Sequence, residues 1–141
     1  MSGPEVFGPD VYAAAVEVGG RVVVVLRGQT DRRGLQLRPH RSRAVLQHAI
    51  HELMVTDESA EPGDAVNRVG LIGFFEVSES AVILLGSRVY VGERPIGTVA
   101  GFDETHMPNH LNICLAVDDL IDGERIGVQL NDRVRFVFDG S

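Results

Sequence analysis

Along most of this chain apolar and polar side chains alternate at period two in short runs, broken by Gly, Pro, Asn and Asp. That is the signature of strands with one buried face rather than of helices. Residues 11–18 and 21–27 flank Gly19-Gly20, a pair that supplies the positive φ angles of a tight primed turn, so a hairpin is expected there. The second arm, RVVVVLR, is apolar on both faces and reads as buried on both. Residues 34–38 alternate again through Leu35 and Leu37. Between 42 and 53 two periods compete. Val45, Leu46, Ala49, Ile50 and Leu53 fall at helical spacing behind Ser42, while residues 49–56 read as a strand, the reading adopted here. Residues 43–48 are open to either. An acidic Pro-Gly loop fills 57–64, and strands are then expected over 67–77, 81–85, 88–91, 96–102, 110–117, 126–130 and 133–138. The sum is an all-β protein: a small closed or nearly closed β-barrel of short antiparallel strands, with at most one short helix. Closure would hide the edges of runs as apolar as RVVVVLR. Residues 1–9, with two prolines, read as an arm before one domain spanning 10–141.

Composition narrows the function. A chain of 141 residues suits one domain with a real core. Its formal net charge of −7 argues against nucleic acid, whose phosphates call for a basic surface. The N-terminus has no apolar export segment and no run is long enough for a membrane helix, so a cytoplasmic location without membrane contact is expected. Cys114, the single cysteine, agrees with a reducing compartment. Every basic residue is arginine, as GC-rich bacterial genomes favour. Without a lysine, Schiff-base chemistry, a pyridoxal-phosphate anchor and a P-loop are excluded, and no glycine-rich nucleotide fingerprint is present.

The richest chemistry lies in GTVAGFDETHMPNHLNICLAV, residues 97–117. Pro108 and Asn109 suit the centre of a β-turn over residues 107–110. The same proline disfavours a helix, so His106 and His110 are not a helical metal pair, though they could converge across the turn. On the returning strand His110, Asn112, Cys114 and Ala116 share one face, while Leu111, Ile113, Leu115 and Val117 share the core face. Three chemistries fit. His106, His110 and Asp103 could hold a divalent metal. Alternatively, His110 or His106 could act as acid–base with Asp103 orienting it and Asn109 or Asn112 holding an oxyanion. In the third case these groups and Glu104 only hydrogen-bond a ligand. Cys114, mid-strand among apolar neighbours, reads as inert. Arg32, Arg33, Arg38, His40, Arg41 and Arg43 form a basic cluster in an acidic chain; it is either a solvated face balanced by acids or, through Arg41 and Arg43, a grip for a carboxylate or phosphate.

The stretch from Leu85 to Asp118, with the later turn at Leu130-Asn131-Asp132, resembles the glucitol/sorbitol-specific enzyme IIA of the sugar phosphotransferase system. The likeness lies in a tight turn leading into a strand, a strand like that family's "T-A-V-G", and an Asn ahead of a returning strand. It implies a small β-barrel. It also implies a phosphoryl-accepting histidine, laid against His48-Ala49-Ile50-His51-Glu52-Leu53. The histidines there are one residue further apart than in that family, and TH-x-PNH-x-N lies outside its pattern. The resemblance therefore carries the fold more than the activity. The leading expectation is an enzyme acting on a small carboxylated or phosphorylated metabolite through His106, His110 and Asp103. Next come a non-catalytic ligand-binding or regulatory module and a phosphocarrier using His48 or His51. The face carrying His110, Asn112, Cys114 and Ala116 could equally serve a homodimer.

Overall fold

A computed structural model describes residues 17–139. These form twelve strands and no helix: β1 (Val18–Val25), β2 (Gln29–Thr30), β3 (Leu35–Gln36), β4 (Ser42–Val45), β5 (Ile50–Thr56), β6 (Ala65–Val66), β7 (Val69–Val77), β8 (Ala81–Leu84), β9 (Arg88–Val91), β10 (Arg94–Asp103), β11 (Asn112–Ala116) and β12 (Arg133–Val137). Seven of them close a hydrogen-bonded ring in the order β1-β12-β9-β10-β11-β5-β7, with β7 returning to β1. Strand β2 pairs with the start of β7 along the edge that β1 takes further on, and the pairs β3–β6 and β4–β8 are small satellite sheets. The all-β class and the ring match the pattern of alternation. One pairing departs from the antiparallel expectation, because β5 and β11 run parallel, with Glu52 beside Asn112 and Met54 beside Cys114.

Alternation sorts the core into two clusters. The larger, which includes Leu53, Val55, Phe75, Leu111, Ile113 and Phe136, fills the ring. The smaller, of Leu35, Leu37, Met54, Val66, Val69 and Cys114, lies on the opposite face of the β5–β11 pair. The face predicted to carry Cys114 is therefore covered by β3 and β6, with Leu37 seated against Gly101, where a Cβ would stand 2.9 Å from its Cδ1.

Several expected elements differ. Gly19 and Gly20 lie inside β1, not at a hairpin turn. Glycine is needed at position 20 because a Cβ there would run into the Glu76 carbonyl and the Phe75 ring, so close strand packing, not turn geometry, selects it. The arm 1–9 and most of the proposed first hairpin strand, 11–16, lie outside the described residues. The RVVVVLR run is not buried on both faces: a register shift between Val22 and Val24 leaves Val24 41% exposed. Residues 126–130 are turns, not a strand. Val128 is buried, but its N–H bonds the Gly123 carbonyl, and the buried Asp122 carboxylate takes the N–H groups of Gly28 and Arg125 at 2.7 and 2.8 Å. The open segment 43–48 resolves as β4 followed by a turn closed by Ala49 N–H on the Leu46 carbonyl.

Candidate functional site

Strand β10 ends at Asp103 and β11 begins at its partner Asn112, so the loop 104–111 stands between two fixed posts. Asp103 is wholly buried and both its oxygens are occupied. Oδ1 accepts from Thr105 N (2.9 Å) and Asn112 Nδ2 (2.9 Å), and Oδ2 from Gln36 N (2.7 Å) and Thr105 Oγ1 (3.0 Å). Burial pushes its pKa up, but these bonds outweigh burial and hold the carboxyl below its usual range. Asp103 thus ties β3, the loop and β11 together. Its link to His106 runs through Asn112, whose Nδ2 also lies 3.0 Å from His106 Nδ1. The turn predicted over 107–110 falls one residue earlier, with Asn109 N–H on the His106 carbonyl at 2.9 Å and a cis peptide at Met107–Pro108.

His106 and His110 do come together, their ring centroids 5.0 Å apart. His110 also meets the Phe74 ring edge-on at 5.1 Å, its Nδ1 lies 3.0 Å from Asn109 Nδ2, and its Nε2 lies 3.7 Å from Glu52 Oε1. Burial, then the neighbouring His106, lowers its pKa against the pull of Glu52. Glu52 is itself buried and gripped by both terminal nitrogens of Arg33, at 2.9 and 3.3 Å. Two buried atoms in this network have no hydrogen-bond partner: His110 Nε2 and Asn112 Oδ1. Among the described residues no group of three or more His, Cys, Asp and Glu side chains is placed to hold a metal ion. Asp103 in particular has no free oxygen to complete the set expected with His106 and His110.

On the opposite face of β5 stands His51. It is buried, and its Nδ1 lies 3.0 Å from Leu111 N. A backbone N–H can only donate, so Nδ1 is the acceptor and Nε2 carries the proton. Burial first, then Arg43 and His110, lowers the His51 pKa and keeps the ring neutral. His51 lines a pocket of about 240 Å³ between β4, the start of β5 and the loop, together with Arg43, Leu46, Ile50, Met107 and Asn109. Of the arginines expected to hold an anion, Arg43 reaches this pocket and Arg41 does not. Glu104 sits on Arg43 Nη1 and lies 3.4 Å from Arg38 Nε. With Arg33 on Glu52, much of the basic cluster is dispersed into ion pairs. His48 stands apart from His51, exposed, with positive φ and Nδ1 2.9 Å from Glu76. Cys114 is buried, and burial pushes its thiol up to about 12.

A family model described as a family of unknown function, DUF6917, matches residues 12–137. The chain belongs to that family. The match spans all twelve strands of this DUF6917 chain and takes in both the His51 pocket and the Glu52–His110 network. No curated protein and no solved structure matches the chain. No helix among the described residues of this DUF6917 chain is long and apolar enough to cross a membrane.

Sequence reasoning named Glu52 only inside the segment laid against the phosphocarrier family, gave Phe74 no role and read Arg33 only as part of a cluster. A signal was available: Glu52 is the one carboxylate inside the otherwise apolar run ELMV, and strand alternation sets it on the face opposite His51.

Proposed function

We propose that this protein is a recognition module that holds a small anionic metabolite in the pocket between β4, β5 and the 104–111 loop. The observation that carries the reading is the tautomer of His51. With Nδ1 committed to Leu111 N–H, the polar atom left for a ligand is a neutral Nε2–H donor, in a pocket that also holds Arg43. Glu104 takes one terminal nitrogen of Arg43, and a guanidinium has further donors to offer. A neutral imidazole and a half-neutralised guanidinium suit an oxygen acceptor of modest charge. The same tautomer weighs against His51 as a phosphoryl acceptor, since a protonated Nε2 has no lone pair with which to attack phosphorus; it does not bear on His48.

The reading is tested by titrating the full chain with acetate, hexanoate and inorganic phosphate and following Leu111 N–H and the His51 ring nitrogens by NMR. Shifts at both are expected in the wild type, and the Leu111 shift should be lost in His51→Phe with the variant still folded. A His51 ring protonated at Nδ1, or no shift with any anion, would refute it.

A second reading, an enzyme acting on a carboxylated or phosphorylated metabolite through His110 and His106, draws on the unpartnered His110 Nε2 and Asn112 Oδ1. There Asp103 would act through Asn112. It requires turnover that His110→Ala abolishes while the fold survives.

A further inference from the structure

Of the six large apolar side chains left exposed among the described residues, Val24 and Leu130 stand elsewhere and the other four gather around one opening. Leu46 is 69% exposed, Ile50 44% and Met107 38%, and all three line the His51 pocket. A fourth, Val82 on β8, sits directly across from Ala44 of β4, which lines the same pocket. Exposed apolar side chains scattered singly need no explanation, but a group around a concave site does. Covering Leu46 and Ile50 would take apolar surface out of water, so an apolar occupant of this opening gains from the contact.

We infer that the ligand is a monocarboxylate with an apolar tail of about five to seven carbons, its carboxylate on Arg43 and the His51 Nε2–H and its tail against Leu46, Ile50 and Met107. This rests on the recognition reading above and adds the ligand's class. The head is fixed by charge. The pocket's polar side chains include one guanidinium, already shared with Glu104, and one neutral imidazole. A single negative charge matches that, whereas a dianion would stand beside Glu104 with too little to offset it. The planar fork of Arg43 fits a carboxylate in bidentate fashion. The tail is placed by the apolar rim: the pocket of about 240 Å³ opens past Leu46, Ile50 and Met107, with room for a carboxylate and a short chain.

The test is a chain-length series on the full chain by calorimetry: acetate, butanoate, hexanoate and octanoate, with hexanol, succinate and inorganic phosphate alongside. Each added methylene should tighten binding about fourfold up to hexanoate, the gain expected from burying one CH₂. Hexanol should bind at least about tenfold more weakly than hexanoate, since it loses the charge-assisted contact. In Leu46→Ser and Ile50→Ser, both at exposed positions, the hexanoate-to-acetate ratio should fall severalfold. Phosphate or succinate binding more tightly than hexanoate, or a flat chain-length series, overturns the apolar tail while leaving the anion pocket standing. No binding of any acid, with Leu111 and His51 unmoved in NMR, overturns the pocket reading as well. A homodimer that dissociates in Leu46→Ser, with no dependence on chain length, assigns the rim to a second copy and overturns the ligand.

Discussion

Replacing Asp103 with asparagine keeps the side chain's shape and removes its charge, which isolates what the carboxylate does. The wild-type oxygens accept four hydrogen bonds, two from the backbone N–H groups of Gln36 and Thr105. An asparagine whose NH₂ replaces Oδ2 faces Gln36 N–H donor to donor, while Thr105 Oγ1 can reverse and accept. One buried donor is then stranded, at about 1–3 kcal/mol, and the remaining bonds fall from charged to neutral strength, at about 0.5–1 kcal/mol each. The sum is about 4 kcal/mol, which for a chain of this size lowers Tm by about 10–15 °C. The effect should also depend on pH. The folded pKa of Asp103 lies below its unfolded value of about 3.9, so its stabilisation is complete above that pH and is lost as pH falls through the folded value. Urea midpoints of Asp103→Asn and wild type, compared at pH 7 and at about pH 3, read both effects. A difference under about 1 kcal/mol at pH 7, or one that does not shrink at low pH, would refute the structural role and return Asp103 to the candidates for chemistry.

Arg33→Met leaves Glu52 buried without its partner and should cost about 3–5 kcal/mol, whereas Arg33→Met with Glu52→Met, which replaces both charges by apolar groups, should recover much of it; a single variant as stable as the double sinks the pairing argument. Cys114 should resist an aromatic disulfide reagent in the native protein up to pH 9, because burial closes access and pushes its thiol up to about 12, and should react at once in denaturant. Rapid native reaction would mean that β3 and β6 do not cover it.

The strands were legible because their burial is one-sided. Period-two alternation placed β5, β7, β9, β10, β11 and β12 within a few residues and sorted Leu111, Ile113 and Leu115 from Asn112 and Cys114. It failed where another constraint produced the same pattern. Gly19-Gly20 is turn chemistry in sequence, yet at position 20 the glycine is there so that β7 can approach. Residues 126–130 bury Val128 from a chain of turns, which periodicity cannot tell from a strand. The loop histidines were recognisable from residue type, and they do meet. What alternation could not show was the parallel pairing of β5 with β11, a contact between segments far apart in the chain, and so it missed that Glu52 and His51 border the same loop from opposite faces.

That parallel pairing explains why the two polar groups belong together. Its register sets Glu52 beside Asn112, so the preceding residues His51 and Leu111 meet on the inner face. Leu111 is fixed twice: its N–H goes to the His51 ring at 3.0 Å, and its carbonyl accepts the Glu52 N–H at 3.0 Å. A ligand that draws on His51 Nε2 changes the basicity of Nδ1 and hence the first bond. The second bond ties the same peptide segment to the strand that carries Glu52, whose side chain faces Arg33 and His110. Pocket occupancy and the outer network are therefore two ends of one short path through Leu111. A ligand response at Arg33, which neither lines the pocket nor bonds a residue that does, would be the signature of this path, whereas His110 can also respond through Asn109, which lines the pocket and lies 3.0 Å from its Nδ1.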